Sequence, residues 1–264
     1  MIALQRHRTI LSQVLEAGVV RVCDLAKDLN VTEETIRRDL GTLSKQGVLA
    51  RTHGGAIALE TKDDHRADLP HDQRSAACPL QKEAIARMAV TLIKPRSVIA
   101  LDSSSTACQL ARHIPNQPLT VVTNSLVVCS ILVHHHNIEV ICTGGTLDPE
   151  AMAFFGLNTQ RDLERLNIEQ LFFSCRGLDL HRGLSESNDR HAAVKLSMIK
   201  ASQSRVLLID TSKLGLASTV FYTPLNAAHH VVLDRPGNPE SQHAVDALRE
   251  HGLHVDEVDL IQNA

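Results

Sequence analysis

Apolar residues recur at helical spacing in three short runs near the start of the chain. Residues 3–16 carry the first run and Gly18 follows it, so we expect a helix that ends before that glycine. The second run starts at Val22 and places four apolar side chains at positions i, i+3, i+4 and i+7. The third run follows Thr32, a candidate N-cap, and ends at Gly47. The pattern therefore predicts three short helices joined by tight turns.

The stretch after the third run has the pattern of two short strands around a basic tip that contains glycine. Residues 48–57 read Val-Leu-Ala-Arg-Thr-His-Gly-Gly-Ala-Ile. Three helices followed by such a hairpin are the order of elements in a winged helix-turn-helix. We therefore predict a winged helix-turn-helix DNA-binding domain at residues 1–57.

Beyond the predicted hairpin the pattern changes twice. Residues 58–75 lose apolar periodicity and carry many charged residues, so we predict a linker there. In residues 76–264 short apolar strands alternate with helical stretches, which predicts an α/β domain with a mostly parallel sheet covered on both faces. The predicted strands are 98–101, 119–122, 138–142, 171–174, 206–209 and 230–233.

Composition narrows the class of protein. Hydrophobic residues make up 43% of the 264 positions and charged residues 22%, which is typical of a globular protein. Aromatic residues make up only 2%, which disfavours a single-stranded nucleic-acid platform of stacked rings. The six cysteines form no C-x-x-C pair, and we find neither a signal peptide nor a membrane-spanning apolar stretch. We therefore expect a cytoplasmic protein with reduced thiols and no membrane partner.

Charge is distributed unevenly along the chain. The net charge is −3, which by itself argues against a nucleic-acid partner because phosphate binding needs cations. Residues 1–57, however, carry eight lysine and arginine residues against six acids, which leaves −5 for the remainder. A mildly basic head on an acidic body is compatible with a DNA-reading head.

The third predicted helix is the best candidate for contacting DNA. Its buried face carries Ile36, Leu40 and Leu43, so Arg37 and Arg38 must lie on other faces. An arginine there can pair with guanine in the major groove or with a phosphate. The alternative is that both arginines form solvated pairs with the neighbouring acids. The order of the helices and the basic hairpin favours DNA.

Three consecutive predicted strands end in small polar residues or glycine. Residues 102–106 read Asp-Ser-Ser-Ser-Thr, residues 123–125 read Thr-Asn-Ser, and residues 143–146 read Thr-Gly-Gly-Thr. In a parallel sheet these tips lie on one edge, where hydroxyls and backbone N–H groups can hold an anion. The first segment alone is equally typical of a plain helix N-cap. Its recurrence at three strand ends predicts a site for a polyol phosphate.

The N-terminal pattern resembles that of the DeoR family of sugar-metabolism regulators. The resemblance lies in Thr-Ile-Arg-Arg-Asp-Leu at residues 35–40, in Leu43 and Gly47, and in Arg-Thr-His-Gly-Gly-Ala at residues 51–56. It implies that the helix from Glu33 to Gln46 enters the major groove. The residues we predict to contact DNA are Thr32, Thr35, Arg37, Arg38, Lys45, Arg51 and His53.

From about Lys82 to Leu233 the chain resembles the C-terminal domain of the same family, which is similar in fold to ribose-5-phosphate isomerase and glucosamine-6-phosphate deaminase. The nearest branch is that of the fucose-operon activators, which suggests a deoxyhexose phosphate. The resemblance implies that Lys195 and Lys213 supply positive charge to the phosphate; the alternative is that both are ordinary surface lysines. The predicted effector residues are Asp102, Ser104, Ser105, Thr106, Asn124, Gly145, Asp179, Lys195 and Lys213.

Two functions compete at this point. One is a regulator whose binding to operator DNA is controlled by a sugar phosphate, and the other is a sugar-phosphate isomerase or deaminase with an accessory DNA-binding domain. We expect the regulator and no enzymatic activity, because turnover would require a general base beside the sugar and a DNA-reading head makes sensing the simpler use. The identity of the effector, and the choice between repression and activation, stay open.

Further expectations concern assembly and cofactors. We expect a homo-oligomer, because paired half-sites multiply the affinity of a small reading head. No cofactor is expected. No metal site is expected either, because the adjacent histidines His134, His135 and His136 point in different directions.

Overall fold

The structure is a computed structural model that describes residues 6–7, 9–11, 13–14, 19–45, 49–52, 54–57 and 68–260. By its internal contacts the chain divides into two compact units, Met1–Asp63 and Asp64–Ala264. The predicted domain boundaries at residues 1–57, 58–75 and 76–264 stay predictions. Among the described residues no helix is long and apolar enough to cross a membrane.

The N-terminal unit combines helices with a small antiparallel sheet. Described residues between 6 and 14 are helical and form α1. The elements that follow are β1 (Val19–Arg21), α2 (Val22–Asp28), α3 (Glu33–Lys45), β2 (Ala50–Thr52) and β3 (Gly55–Ile57). The strands pair in the order β1-β3-β2. The predicted helices and hairpin are confirmed, while the predicted helix ends at Gly18 and Gly47 lie outside the described residues.

Strand β1 was not predicted. Its three residues are too few to show an alternating pattern, and only their pairing with β3 makes them a strand. Val19 lies opposite Ile57 in this pairing, so β1 closes the hairpin of β2 and β3 into a three-stranded sheet.

The apolar runs of the three helices form one core. The buried side chains include those that set the helical spacing, together with one residue before β2 and one in β3; they are Ile10, Val14, Val22, Leu25, Ala26, Leu29, Ile36, Leu40, Leu43, Leu49 and Ala56. Asp39, which lies on α3, is also buried and accepts hydrogen bonds from Arg6 at 2.5 Å and His7 at 2.8 Å. These bonds tie α1 to α3 and lower the pKa of Asp39, although burial by itself would raise it.

The C-terminal unit is built on a seven-stranded sheet. In chain order its strands are β4 (Val98–Leu101), β5 (Leu119–Thr123), β6 (Ile138–Cys142), β9 (Ile168–Phe173), β12 (Ser202–Leu208), β14 (His230–Asp234) and β15 (His254–Val258). They lie in the order β15-β14-β12-β9-β4-β5-β6, and every neighbouring pair is parallel. The six predicted strands are confirmed. The seventh, β15, escaped prediction because its five residues contain only two apolar side chains.

Helices cover the sheet on both faces. They are α4 (His71–Ala76), α5 (Pro79–Thr91), α6 (Ser105–Ala111), α7 (Leu126–Leu132), α8 (Leu157–Glu164), α9 (Asp189–Ala201) and α10 (Pro239–Glu250). Apolar residues of α5, α6 and α7 form one buried cluster with one set of strand residues. Those of α8, α9 and α10 form a second cluster with the alternate set. Successive side chains of each strand point to opposite faces and so enter the two clusters in turn, as expected for a sheet buried on both sides.

Two small sheets flank the carboxyl ends of the large one. One is the hairpin of β7 (Thr146–Asp148) and β8 (Ala153–Phe155). The other is antiparallel and contains β10 (Gly177–Asp179), β11 (Gly183–Glu186) and β13 (Val220–Thr223). These strands were not predicted, because segments of three or four residues carry little periodicity.

The last residues of the predicted linker, 68–75, are among those that the structure describes. His71–Ala76 is helical, and its first backbone N–H donates to the carbonyl of Glu150 at 2.8 Å. Upstream, Asp68 accepts hydrogen bonds from Ser187 at 3.1 Å and from Asn188 at 2.6 Å. Helix α4 has no buried residue, so the order of this segment comes from polar contacts with distant residues, which periodicity does not register.

Candidate DNA-reading helix and effector site

The two arginines of α3 lie on the surface. The Arg37 side chain is 50% exposed and the Arg38 side chain 82%. Arg37 pairs with Glu33 at 2.6 Å, and Arg38 lies 3.7 Å from Glu34, both one helical turn earlier. Such exposed pairs contribute little to stability, so both guanidinium groups can exchange these acids for phosphate or base contacts. The structure therefore contains the solvated pairs that the alternative interpretation expects. It also leaves both arginines exposed, as contact with DNA requires.

The start of α3 has the expected cap. The hydroxyl of Thr32 accepts a hydrogen bond from the backbone N–H of Thr35 at 3.3 Å, and the two hydroxyls lie 2.9 Å apart. Arg51 is exposed on β2 beside Gly41 of α3, since a Cβ added to that glycine would lie 3.7 Å from the guanidinium. Lys45 ends α3. The side chain of Lys45 and the whole of His53 lie outside the described residues.

In the C-terminal unit, the sheet order creates a crevice between β4 and β9. The chain builds outward from β4 to β5 and β6 on one side, and from β9 to β12, β14 and β15 on the other. Ligands of open α/β sheets bind at such a switch point, beyond the carboxyl ends of the strands. Asp102 directly follows β4 and Ser174 directly follows β9, and the Ser174 backbone N–H donates to Asp102 at 3.1 Å.

A buried lysine joins these two strand ends. The Lys195 ammonium, on α9, lies 2.7 Å from Asp102 and 2.8 Å from Glu186, and it also donates to the carbonyl oxygen of Ser174. Burial alone would lower the pKa of Lys195, but the two carboxylates outweigh it and raise that pKa. The pKa of Asp102 is lowered, because Lys195 and hydrogen bonds from Ser104 and Ser174 outweigh the effect of burial.

These contacts change the interpretation of Lys195. An ammonium group has three donors, and Asp102, Glu186 and Ser174 use all three. A phosphate would have to displace a carboxylate to reach it. The structure therefore favours a positioning role for Lys195 over the direct phosphate contact that the sequence suggested, and it is not a surface lysine.

Two further lysines are differently placed. Lys213 ends a 3-10 turn that starts after Asp210. Its ammonium donates to the Ser174 hydroxyl at 2.8 Å and lies 3.8 Å from a carboxylate oxygen of Asp210. Lys82 on α5 is buried and donates to the carbonyl oxygens of Arg74 and Ala77. Burial, and then the nearby charge of Lys213, lower the pKa of Lys82 to about 8. A phosphate close to both ammonium groups would offset this repulsion.

The remaining strand ends supply unpaired polar atoms. Leu101 and Thr123 are register partners on β4 and β5, so the residues that follow them share one edge. Asn124 donates to the carbonyl oxygen of Phe154 at 3.0 Å, but its own Oδ1 is buried and has no hydrogen-bond partner among the described residues. The buried Thr106 hydroxyl is likewise unpaired. Buried polar atoms are rarely left unpaired, so these two atoms indicate a place for a ligand or a water molecule.

The two neighbouring serines are already engaged. Ser104 accepts a hydrogen bond from the Ala107 backbone N–H at 3.1 Å as the N-cap of α6, and its hydroxyl donates to Asp102. The Ser105 hydroxyl donates to the carbonyl oxygen of Arg74 at 3.2 Å. The plain N-cap function that the sequence left open is therefore present at Ser104.

Two predicted effector residues have structural roles. Asp179 accepts the backbone N–H groups of His181 at 2.9 Å and Arg182 at 2.8 Å, which closes the turn between β10 and β11. Gly145 has a φ of +131°, and a Cβ there would collide with the hydroxyl oxygen of Thr159. A side chain is therefore excluded at Gly145 whether or not a ligand approaches.

Several residues of the site were missed by sequence analysis. They are Lys82, Ser174, Glu186, Asp210 and Tyr222. A lysine among the apolar positions of α5 was a usable signal, because a lysine is almost never fully buried unless its charge is paired. The Tyr222 hydroxyl is buried, and no residue in the described part of the chain pairs with it. The neighbouring Cys175, Glu186 and Asp102 add to the effect of burial in raising the pKa of Tyr222.

The segment that precedes α5 contacts the strand ends. The Arg74 guanidinium donates to the carbonyl oxygens of Ser103 at 3.3 Å and Ala151 at 3.4 Å. With the Ser105 and Lys82 bonds to its own carbonyl oxygen, Arg74 connects α4 to the loop after β4 and to α5. An open groove of about 680 Å³ lies beside α4, between His71, Arg112 and Met152.

Comparisons with known proteins agree with this architecture. The family described as "DeoR-like helix-turn-helix domain" matches residues 6–62, and the one described as "DeoR C terminal sensor domain" matches residues 78–235. The structure also aligns with ribose 5-phosphate isomerase A of Methanocaldococcus jannaschii, at 19% identity and a TM-score of 0.38, over 52% of this chain and 54% of that chain. An alignment at this level carries no information about activity.

Relatives match over nearly the full length. An uncharacterized HTH-type transcriptional regulator of Bacillus subtilis is 35% identical over 98% of this chain and 98% of its own. The L-fucose operon activator of Haemophilus influenzae is 37% identical over 87% of this chain and 91% of its own. With both domains matched and in the same order, this chain belongs to the DeoR family of DNA-binding transcriptional regulators.

Proposed function

We propose that this regulator controls a sugar catabolic operon, and that a sugar phosphate bound at the carboxyl ends of the sheet strands changes its affinity for operator DNA. The observation that carries the proposal is that Lys213 reaches the switch point, where its ammonium donates to the Ser174 hydroxyl after β9. Its charge also lowers the pKa of the buried Lys82, and a bound phosphate would offset both positive charges. The hydroxyl-rich loops after β4 and β5 would contact the sugar. A relative named as an L-fucose operon activator supports the sugar operon.

A regulator without catalysis fits the site better than an isomerase or deaminase does. Each oxygen of Asp102 already accepts two hydrogen bonds, from the Ser104 backbone and hydroxyl on one side and from Ser174 and Lys195 on the other. A carboxylate offers about four acceptor positions, so Asp102 has none left to take a proton from a substrate. Asp179 is engaged in its turn by two backbone N–H groups.

We further propose that α4 carries the effector signal. Arg74 holds the loop that contains Ser103 and Ser105, and α4 is the first described helix after the chain leaves the N-terminal unit. A ligand that repositions this loop would therefore shift the balance between two positions of α4. A homo-oligomer in the cytoplasm, binding paired half-sites, remains part of the proposal.

The DNA-reading role of α3 predicts the behaviour of a double variant. Changing Arg37 and Arg38 to alanine should weaken binding to a DNA fragment selected by the wild-type protein by about tenfold or more, since a base contact contributes about 1–3 kcal/mol. The salt dependence should also become shallower, by about 0.9 for each phosphate that the variant no longer neutralises. Titrations at several salt concentrations measure both. Arg87→Ala, which removes an exposed arginine of α5, is the matched control. A folded double variant with wild-type affinity would refute the role.

The effector site predicts different consequences for two of its lysines. Lys213→Ala should weaken the binding of a sugar phosphate by about 10- to 100-fold, because a charge-assisted hydrogen bond is removed, while the exposed Lys200→Ala should not. Lys195→Met should instead lower the free energy of unfolding by about 3–5 kcal/mol, since Asp102 and Glu186 lose their counter-charge. Calorimetry with a panel of pentose and hexose phosphates, and urea unfolding, separate the two effects. Equal effector affinity in wild type and Lys213→Ala would contradict the proposed site.

The pKa of Lys82 predicts how effector affinity depends on pH. In the free protein Lys82 is charged below about pH 8, and an adjacent phosphate would raise its pKa. Binding above pH 8 therefore requires uptake of a proton, and the affinity should fall there by up to about tenfold per pH unit. The phosphate is already a dianion in that range, because its second pKa is about 6. Calorimetry from about pH 7 to about pH 9.5 spans this titration, and Lys82→Met should show a flat profile; an equally steep fall in that variant would exclude Lys82.

The proposed role of α4 predicts a variant that still binds the effector but whose operator affinity no longer responds to it. Arg74→Ala should leave effector affinity within about threefold of wild type, while the effector's influence on operator affinity, typically about 5- to 150-fold, should shrink towards one. DNA titrations with and without saturating effector measure this ratio. Arg249→Ala, which removes ion pairs with Asp246 and Glu257 on α10 and β15, should retain it. An intact ratio in Arg74→Ala would rule out this route.

A further inference from the structure

Three potential metal ligands come together at the amino ends of the last two strands. His230 begins β14 and His254 begins β15, and the two are direct partners in the parallel register. Asp256 lies two residues beyond His254 and therefore on the same face of β15. Strand pairing alone thus assembles two imidazoles and a carboxylate on one patch of the sheet.

The distances within this patch are those of a nearly formed coordination site. His230 Nε2 lies 2.8 Å from one oxygen of Asp256, and His254 Nε2 lies 3.5 Å from the other. One ligand atom from each of the three residues lies within 4.8 Å of the others. Bonds of about 2.0–2.1 Å to a tetrahedral ion would place such atoms about 3.3 Å apart, so small rotations of the side chains suffice.

We propose that His230, His254 and Asp256, brought together by the parallel pairing of β14 with β15, form a binding site for a divalent transition metal ion of the zinc class. Two imidazoles and one carboxylate are a donor set that zinc accepts and that magnesium and calcium do not favour. A site here departs from the sequence-based expectation of no metal, which considered only the histidines at residues 134–136.

Two of the three ligand side chains are mostly buried and the third is mostly exposed. The His230 side chain is 16% exposed and that of Asp256 25%, so these two are held by their surroundings. The His254 side chain is 70% exposed and can turn to complete the site. The two rings meet edge to face, with centroids 4.4 Å apart. The open side leaves positions for water, so the ion would be bound by three protein ligands.

The site lies at the opposite edge of the sheet from the proposed effector site. His230 and His254 are at the amino ends of their strands, whereas Asp102 and Ser174 follow the carboxyl ends. A bound ion would connect β15, an edge strand, to β14 and so hold the last strand of the sheet. The metal site would form whether or not the proposed effector binds.

The test uses the untagged full-length protein, stripped of metal by a chelator and titrated with zinc chloride. We expect one equivalent to bind and the thermal unfolding temperature to rise, since an ion that binds only the folded state stabilises it. His254→Ala, His230→Ala and Asp256→Asn should each bind at least about tenfold more weakly. Because His254 is largely exposed, its replacement should leave the fold intact. Cobalt(II) in place of zinc should give the visible absorption bands of a site with nitrogen and oxygen ligands.

Two controls distinguish this site from other ligands in the chain. His134→Ala and His136→Ala remove exposed histidines and should bind zinc as the wild type does. Lys213→Ala should also bind normally, so the result is independent of effector binding. Absence of a stoichiometric equivalent in the wild type would overturn the proposal and leave a His230–Asp256 pair that pins the edge strand. Retention of zinc by His254→Ala, or cobalt bands of thiolate ligation from cysteines, would overturn it equally.

Discussion

The ammonium group of Lys195 holds the carboxyl edge of the sheet together. It lies between Asp102 after β4, Ser174 after β9 and Glu186 of β11, and it bonds to all three at once. Burying these charges is costly unless every partner is satisfied, and here every donor of the ammonium is used. The loops that end β4 and β9 therefore have defined positions at the switch point, and the hydroxyls beyond them have defined positions in turn.

Around Lys195, whose donors are all used, lie polar groups that still lack a partner or are near a like charge. Burial, and then the charge of Lys213, lower the pKa of Lys82, while the buried side-chain oxygens of Asn124 and Thr106 have no partner within the described ranges. Polar groups whose hydrogen bonds are all made within the protein hold the loops in position. Polar groups without a partner can gain a hydrogen bond when a ligand binds. The contrast between Lys195 and Lys213 shows the point, since two lysines that look alike in the sequence divide these roles.

The parallel direction of the strands places two groups of polar residues at opposite edges of the sheet. Because all seven strands run the same way, every carboxyl end lies on one edge and every amino end on the other. The polar loops and Arg74 are gathered at the first edge, next to the segment that leads to the N-terminal unit. The paired histidines of β14 and β15 lie at the second edge. A single topological property thus places the proposed effector site and the proposed metal site at opposite edges of one sheet.

Local patterns were sufficient for part of this protein. Apolar spacing predicted three helices, a hairpin and six parallel strands. The polar residues after β4, β5 and β6 were correctly expected to share one edge of the sheet, and ligand binding at that edge stays a prediction. The short strands β1 and β15, the partners of Lys195, the burial of Lys82 and the pairing of His230 with His254 could not be obtained in this way. Periodicity is a property of neighbours along the chain. The pairing of strands and the choice of partner for a buried charge depend on distant residues, such as Lys195 and Asp102 at 93 positions apart, which only the folded sheet brings together.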